Sequence, residues 1–222
     1  MLAWLFIAGL ACAARVALSP LREPLGVEII VPYLLLICAP VALISLALRW
    51  FADGDLQPQP RFRLSNLGNW RTIDREDARR HHLYGAGGVM VSLLVGMLVN
   101  IPFRATEYLG AMPAISGNVP PSLYILHMMM TLDAVLMTSL YAIAFVAALR
   151  HVPLSPRLLV TIWSLDLAIQ LITAEFVAGT PGLPPGVAGA LHNLLDGNVK
   201  KVLISVALWL PYLLLSRRVN VT

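Results

Sequence analysis

Two aspartates, Asp133 and Asp166, sit deep inside long apolar runs, and they are the residues of this chain best suited to chemistry. If those runs are helices, each carboxylate lies about twelve residues from one end, roughly 17–18 Å deep at 1.5 Å per residue. The runs are consecutive, so antiparallel helices would bring both groups to the same depth. Two ionised carboxylates there would repel each other and be poorly solvated, so at least one must be protonated or partnered. That chemistry suits a proton or small-cation site. The plain alternative is two protonated aspartates, each hydrogen-bonded to a neighbouring helix. Gln170, one turn beyond Asp166, is placed to orient it. Nearer one edge of the same runs lie His127 and Glu175, a histidine–carboxylate pair able to titrate near neutral pH. A locally satisfied interfacial histidine is the alternative there.

Other chemistries find little support. A membrane haem needs two histidines at one depth on facing helices, and of the five histidines only His127 is well inside a run. The two cysteines, Cys12 and Cys38, have no zinc-ligand spacing and read as buried thiols. Met128, Met129 and Met130 cannot share one helix face, because consecutive residues point about 100° apart; they are packing. No HExxH, GxSxG, P-loop or dinucleotide fingerprint is present, so no catalytic residue, metal ligand or cofactor is expected. Arg104, Glu107, His192 and Asp196 could line a polar cleft at an outer surface, but their spacing does not demand one.

The elements that must position these groups are membrane helices. The 222 residues are 58% hydrophobic and 13% charged, against about 25% charged in an ordinary soluble domain. Lipid must therefore solvate much of the chain. Six apolar runs are readable: residues 1–20, 29–48, 83–103, 122–149, 158–178 and 202–216. The first is short, with Arg15 expected to snorkel to the far interface, and the second should bend at Pro32 and Pro40. In the third, Gly88, Ser92, Gly96 and Asn100 recur every four residues, a face on which another helix could pack closely. The third run should end at Phe103, leaving Arg104 and Glu107 in an outer loop. Residues 179–198 read as a second outer loop with a short interfacial helix over 187–195.

The long polar stretch over residues 61–82 holds Arg61, Arg63, Arg71, Arg75, Arg79 and Arg80 and should remain cytoplasmic. Within it, residues 74–82 suit a short surface helix with Glu76 and Arg80 at i,i+4. Arg49, Arg150, Arg157, Arg217 and Arg218 fall on the same side, which makes eleven basic residues inside; Arg15, Arg22, Arg104, Lys200 and Lys201 make five outside. Both termini are then cytoplasmic. The expected architecture is an all-α polytopic bundle: a transmembrane hairpin over residues 1–52, a basic linker over 53–82 and a four-helix unit over 83–222. The net charge of +4 is concentrated beside membrane segments, which argues for lipid headgroups and against nucleic acid.

The chain closes on Trp209, Leu210, Pro211 and Tyr212, followed by Ser216, Arg218, Val219 and Thr222. This resembles the closing signature of a bacterial membrane family, the domain of unknown function numbered twenty-five sixty-nine. That family's opening glycine pair, and its span ending in proline and arginine, resemble Gly87–Gly88, Pro102 and Arg104. The likeness covers about residues 84–222; Val89 stands where the family often has tryptophan, and no aromatic follows Thr222. It implies a four-span inner-membrane protein and supplies no activity. The tail also anchors the last span in plain physical terms, with aromatic rings and paired arginines at the interface. Three functions remain open: an accessory or scaffolding component bound to a membrane partner or a second copy, a small-solute or proton-coupled transporter using Asp133 and Asp166, and a lipid-modifying enzyme.

Overall fold

The described residues hold eight α-helices: α1 (Leu2–Leu18), α2 (Val27–Trp50), α3 (Arg75–Arg80), α4 (Val89–Ala111), α5 (Pro121–Leu149), α6 (Ser155–Gly179), α7 (Pro185–Leu215) and α8 (Arg217–Val221). The structure, a computed structural model, describes residues 1–19, 26–58, 73–115, 119–180 and 185–221. There is no strand among them. In a solvent that cannot satisfy backbone amides, the helix is the element that satisfies them within itself. Among the described residues, five helices are long and apolar enough to cross a membrane: α2, α4, α5, α6 and the Leu191–Leu215 part of α7. α1 is apolar and 17 residues long, about 25 Å, near the lower limit for a span. The chain is a polytopic all-α membrane protein.

α5 is the central post, and its sequence explains why. Ala134, Thr138, Ser139, Ala142, Ala144, Ala147 and Ala148 are all buried, so small side chains on several faces admit close neighbours. α2, α4 and α6 pack directly on it, α7 packs on α6, and α1 lies against α2. The N-terminal hairpin is thus built into the bundle. Ile29, Tyr33 and Leu36 of α2 share one apolar cluster with Tyr108 of α4 and Leu126 and Met130 of α5. Pro32 and Pro40 sit inside one uninterrupted helix. Met130 is buried while Met128 faces outward, in keeping with the roughly 200° between residues two apart on a helix.

Several local expectations are corrected. α4 starts six residues later than residue 83 and continues through Pro102 to Ala111, which carries Arg104 and Glu107 into the span. Its inward face is Met90, Leu93, Leu94, Met97, Ile101, Ala105 and Tyr108. Ser92 and Gly96 face outward instead, and no atom lies within 4 Å of a Cβ placed on Gly96. Because α5 supplies the small residues at this contact, α4 can present its large ones. Gly88 is the N-cap of α4 at φ 56°, ψ −132°, a conformation that L side chains rarely adopt. We expect Gly88→Ala to lower stability by about 1–3 kcal/mol, read as an earlier thermal unfolding transition in detergent. Residues 185–198 belong to α7, which runs unbroken through the region expected to be a loop.

At one end of the bundle, Arg218 donates to the Gly85 carbonyl at 3.1 Å, and Tyr84 packs on His151 with ring centroids 5.1 Å apart. A Cβ on Gly54 would lie 2.6 Å from the Arg150 carbonyl, so the start of the linker is pressed onto the α5–α6 turn. Arg79 pairs with Asp55, and Glu76 with Arg80 at 3.5 Å along α3. Arg61, Arg63 and Arg71 lie outside the described residues. At the other end, the Arg15 guanidinium donates to the Met112 carbonyl at 3.0 Å, so it caps the end of α4 where snorkelling was expected.

Candidate functional site

Arg104 is the residue that sequence reasoning misplaced, and it joins the two aspartates. Its Nη1 donates to Asp133 Oδ2 at 2.8 Å, and its Nη2 donates to Asp166 Oδ1 and Oδ2 at 2.7 and 2.6 Å. α4 supplies the guanidinium, α5 one carboxylate and α6 the other. Arg104 is 7% exposed, Asp133 5% and Asp166 0%, so each charge has exchanged water for the others. Arginine suits the position, since its planar fork can serve two carboxylates at once. Gln170 Nε2 lies 3.2 Å from Asp133 Oδ1 and 3.4 Å from Asp166 Oδ1, tying both together. Tyr141 Oη donates to Asp166 Oδ2 over a longer 3.5 Å.

The centre lies between two apolar clusters. Ile101, Met137 and Trp163 belong to the one toward the linker end. Ala105, Met130 and Val177 belong to the one toward the opposite end. Such a location makes charge arithmetic decisive. One guanidinium and two ionised carboxylates leave −1, and one proton or one small cation brings the sum to zero. An uncompensated charge at that depth is costly, so the centre has a built-in demand for a positive partner.

A cleft of about 270 Å³ reaches the centre from the side, between α4 and α7. Arg104, Asp166 and Tyr141 form its floor, and Gly96, Asn100, Val202 and Ser205 line its walls. Asn100 Oδ1 is buried there without a protein partner. Glu107 and Lys201, which form an ion pair, stand at the rim together with Asn198. The face marked by Gly96 and Asn100 is thus the wall of a cleft, where a helix contact was expected. α4 and α7 touch only sparingly, which leaves the space open.

The remaining sequence candidates fall elsewhere. His127 and Glu175 do not meet: His127 is buried with its Nε2 3.3 Å from Tyr108 Oη, and Glu175 is exposed on α6. The helix rotation that turns Asp166, Gln170 and Thr173 inward turns Glu175 outward. His192 is exposed, and Asp196 pairs with Lys200 at 2.6 Å, so only Arg104 and Glu107 of the expected outer cleft reach the one observed. No cluster of three or more metal-ligating side chains exists among the described residues. Both cysteines are free, Cys12 buried and Cys38 exposed. In the tail, Trp209 and Tyr212 stack edge to face with centroids 6.1 Å apart, and Ser216 separates α7 from α8. Pro211 lies inside α7.

One signal could have found Arg104. Two carboxylates at one depth need a cation, and Arg104 is the basic residue closest to the apolar part of the preceding run. Pro102 disguised it by suggesting that the helix had ended. No family model, curated protein or solved structure matches this chain.

Proposed function

We propose that this chain is a bacterial inner-membrane protein that moves a small polar solute, or protons alone, with the Arg104–Asp133–Asp166 centre as its proton-binding site. One observation carries the reading: a single buried guanidinium is shared by two buried carboxylates at the floor of a side cleft. Protonating Asp133 would remove the charge that ties α4 to α5, while Asp166 would still hold α4 to α6. A proton and a helix contact are thereby linked, which is the coupling that a transporter needs.

The test follows from the charge count. Asp133→Asn leaves one arginine facing one aspartate, a neutral pair, so the protein should fold as well as wild type. In proteoliposomes carrying an internal pH dye and a panel of small solutes, wild type should give flux driven by a pH gradient and the variant none. Wild-type liposomes that behave like empty ones, or a variant that transports normally, would sink the proposal.

A second reading, an accessory or scaffolding component, is favoured by the outward Ser92, which gives α4 a small-residue surface unused within the chain. Co-purification of a fixed membrane partner, lost in Ser92→Trp, would support it. A lipid-modifying enzyme would need a free base or nucleophile in the cleft, whereas Arg104, Asp166, Glu107 and Lys201 are engaged with one another or with Asp133. Membership of the family of unknown function numbered twenty-five sixty-nine is retained as a proposal. It rests on the closing and opening motifs of the sequence, which meet where Arg218 donates to the Gly85 carbonyl.

A further inference from the structure

A second groove, of about 280 Å³, lies between α2 and α5 at the end of the bundle away from the linker. It is separate from the charged centre. Its walls are mostly apolar, including Val31, Leu35, Val119 and Met128, and it runs from Val27 to Leu35, about 12 Å along α2. Val31, Leu35 and Met128 face outward from transmembrane helices, so an occupant would enter from lipid.

Among the described residues, two polar atoms on its walls are acceptors to which no protein donor is assigned, while Tyr124 adds a hydroxyl able to donate or accept; hydrogen-bond directions identify the first acceptor, on His127. Thr131 Oγ1 donates its one proton to the His127 carbonyl at 2.8 Å. The Tyr108 hydroxyl must then be the donor in its 2.8 Å bond to Thr131. With that proton used, Tyr108 can only accept at 3.3 Å from His127, which places the imidazole proton on Nε2. No carboxylate bonds to the ring among the described residues, so the neutral form leaves Nδ1 as an acceptor on a side chain 4% exposed. Pro32 adds a second acceptor, because it has no N–H to give the Glu28 carbonyl one turn earlier, and both residues line the groove. Glu28 is the one charged residue of the lining, which disfavours a phosphate or carboxylate head.

We propose that this groove binds an uncharged lipid alcohol: an apolar chain held between α2 and α5, with its hydroxyl donating to His127 Nδ1 or to the Glu28 carbonyl. An alcohol fits because it brings the missing donor, carries no negative charge to meet Glu28, and partitions into the bilayer from which the groove opens.

The test uses the full chain in phosphatidylcholine nanodiscs and four chain-matched diazirine probes: hexadecanol, hexadecanoate, hexadecylamine and a probe with no polar head. The alcohol should label peptides carrying Val31 and Met128 at least tenfold more than the acid or the headless probe, and unlabelled hexadecanol should compete. Val31→Trp, which fills the groove from its lipid-facing side without touching a hydrogen bond, should abolish labelling while leaving the thermal transition in place. His127→Phe should reduce labelling about tenfold if folded. Equal labelling by all four probes would reduce the groove to ordinary lipid contact and overturn the proposal. So would labelling by the amine alone, or full labelling of Val31→Trp.

Discussion

Arg104→Met should yield almost no folded protein. The substitution roughly keeps the volume and removes the guanidinium between Asp133 and Asp166, so two buried carboxylates face each other with Gln170 and Tyr141 as the remaining donors among the described residues. Breaking a buried ion pair by deleting one partner costs about 3–5 kcal/mol, a large share of the stability of any single domain. Size-exclusion chromatography in mild detergent should show loss of the monodisperse peak, or a thermal transition shifted far down. The triple variant Arg104→Met, Asp133→Asn, Asp166→Asn should recover the folded peak, because no charge then remains to be stranded. Arg104→Lys should fall between, since an ammonium lacks the planar fork that reaches both carboxylates. A stable single Met variant would mean that both carboxylates are neutral in the resting protein and that the guanidinium is dispensable.

Gly96→Trp should do the reverse, blocking transport without unfolding. Nothing lies within 4 Å of a Cβ at this position, and the side chain would project into the cleft that leads to Asp166. Replacing glycine by tryptophan within a helix also gains about 0.5 kcal/mol in helix propensity, so the thermal transition should hold or rise. An indole would take up much of a 270 Å³ space. Proteoliposome flux should therefore drop to about a tenth of wild type or less, since the cleft would no longer admit a solute. Gly110→Trp is the matched control, since Gly110 also has open space around it but does not line the cleft. Equal flux in the two variants would show that the route to the charged centre runs elsewhere. Comparison with Asp133→Asn separates access from chemistry: one variant closes the path and the other removes the acid.

The same physics explains what was legible before any coordinates. The all-helical class and the membrane setting follow from composition and hydropathy, because hydrocarbon admits few ways to satisfy a backbone. Asp133, Asp166 and Gln170 stood out for a related reason: a polar group in a long apolar run must find a partner, and that demand is local to the sequence. The short helix with Glu76 and Arg80 was readable because i,i+4 spacing is geometry within one element.

What stayed hidden depended on rotation about helix axes and on which helices become neighbours. The spacing of Gly88, Ser92, Gly96 and Asn100 suggested a helix-packing face, but packing left Gly96 and Asn100 bordering a cleft while large residues met α5. His127 and Glu175 had matching depths and compatible chemistry, yet α6 turns Glu175 away. Arg104 belongs to a helix whose end could not be placed from Pro102 alone, because a proline inside a lipid-embedded helix is tolerated when neighbours support the freed carbonyl. By itself, then, the sequence determined an all-helical membrane chain with two acids at mid-depth. Tertiary structure alone decided that one guanidinium joins them, because a charge pair between distant segments forms only when packing sets rotation, depth and neighbour at once.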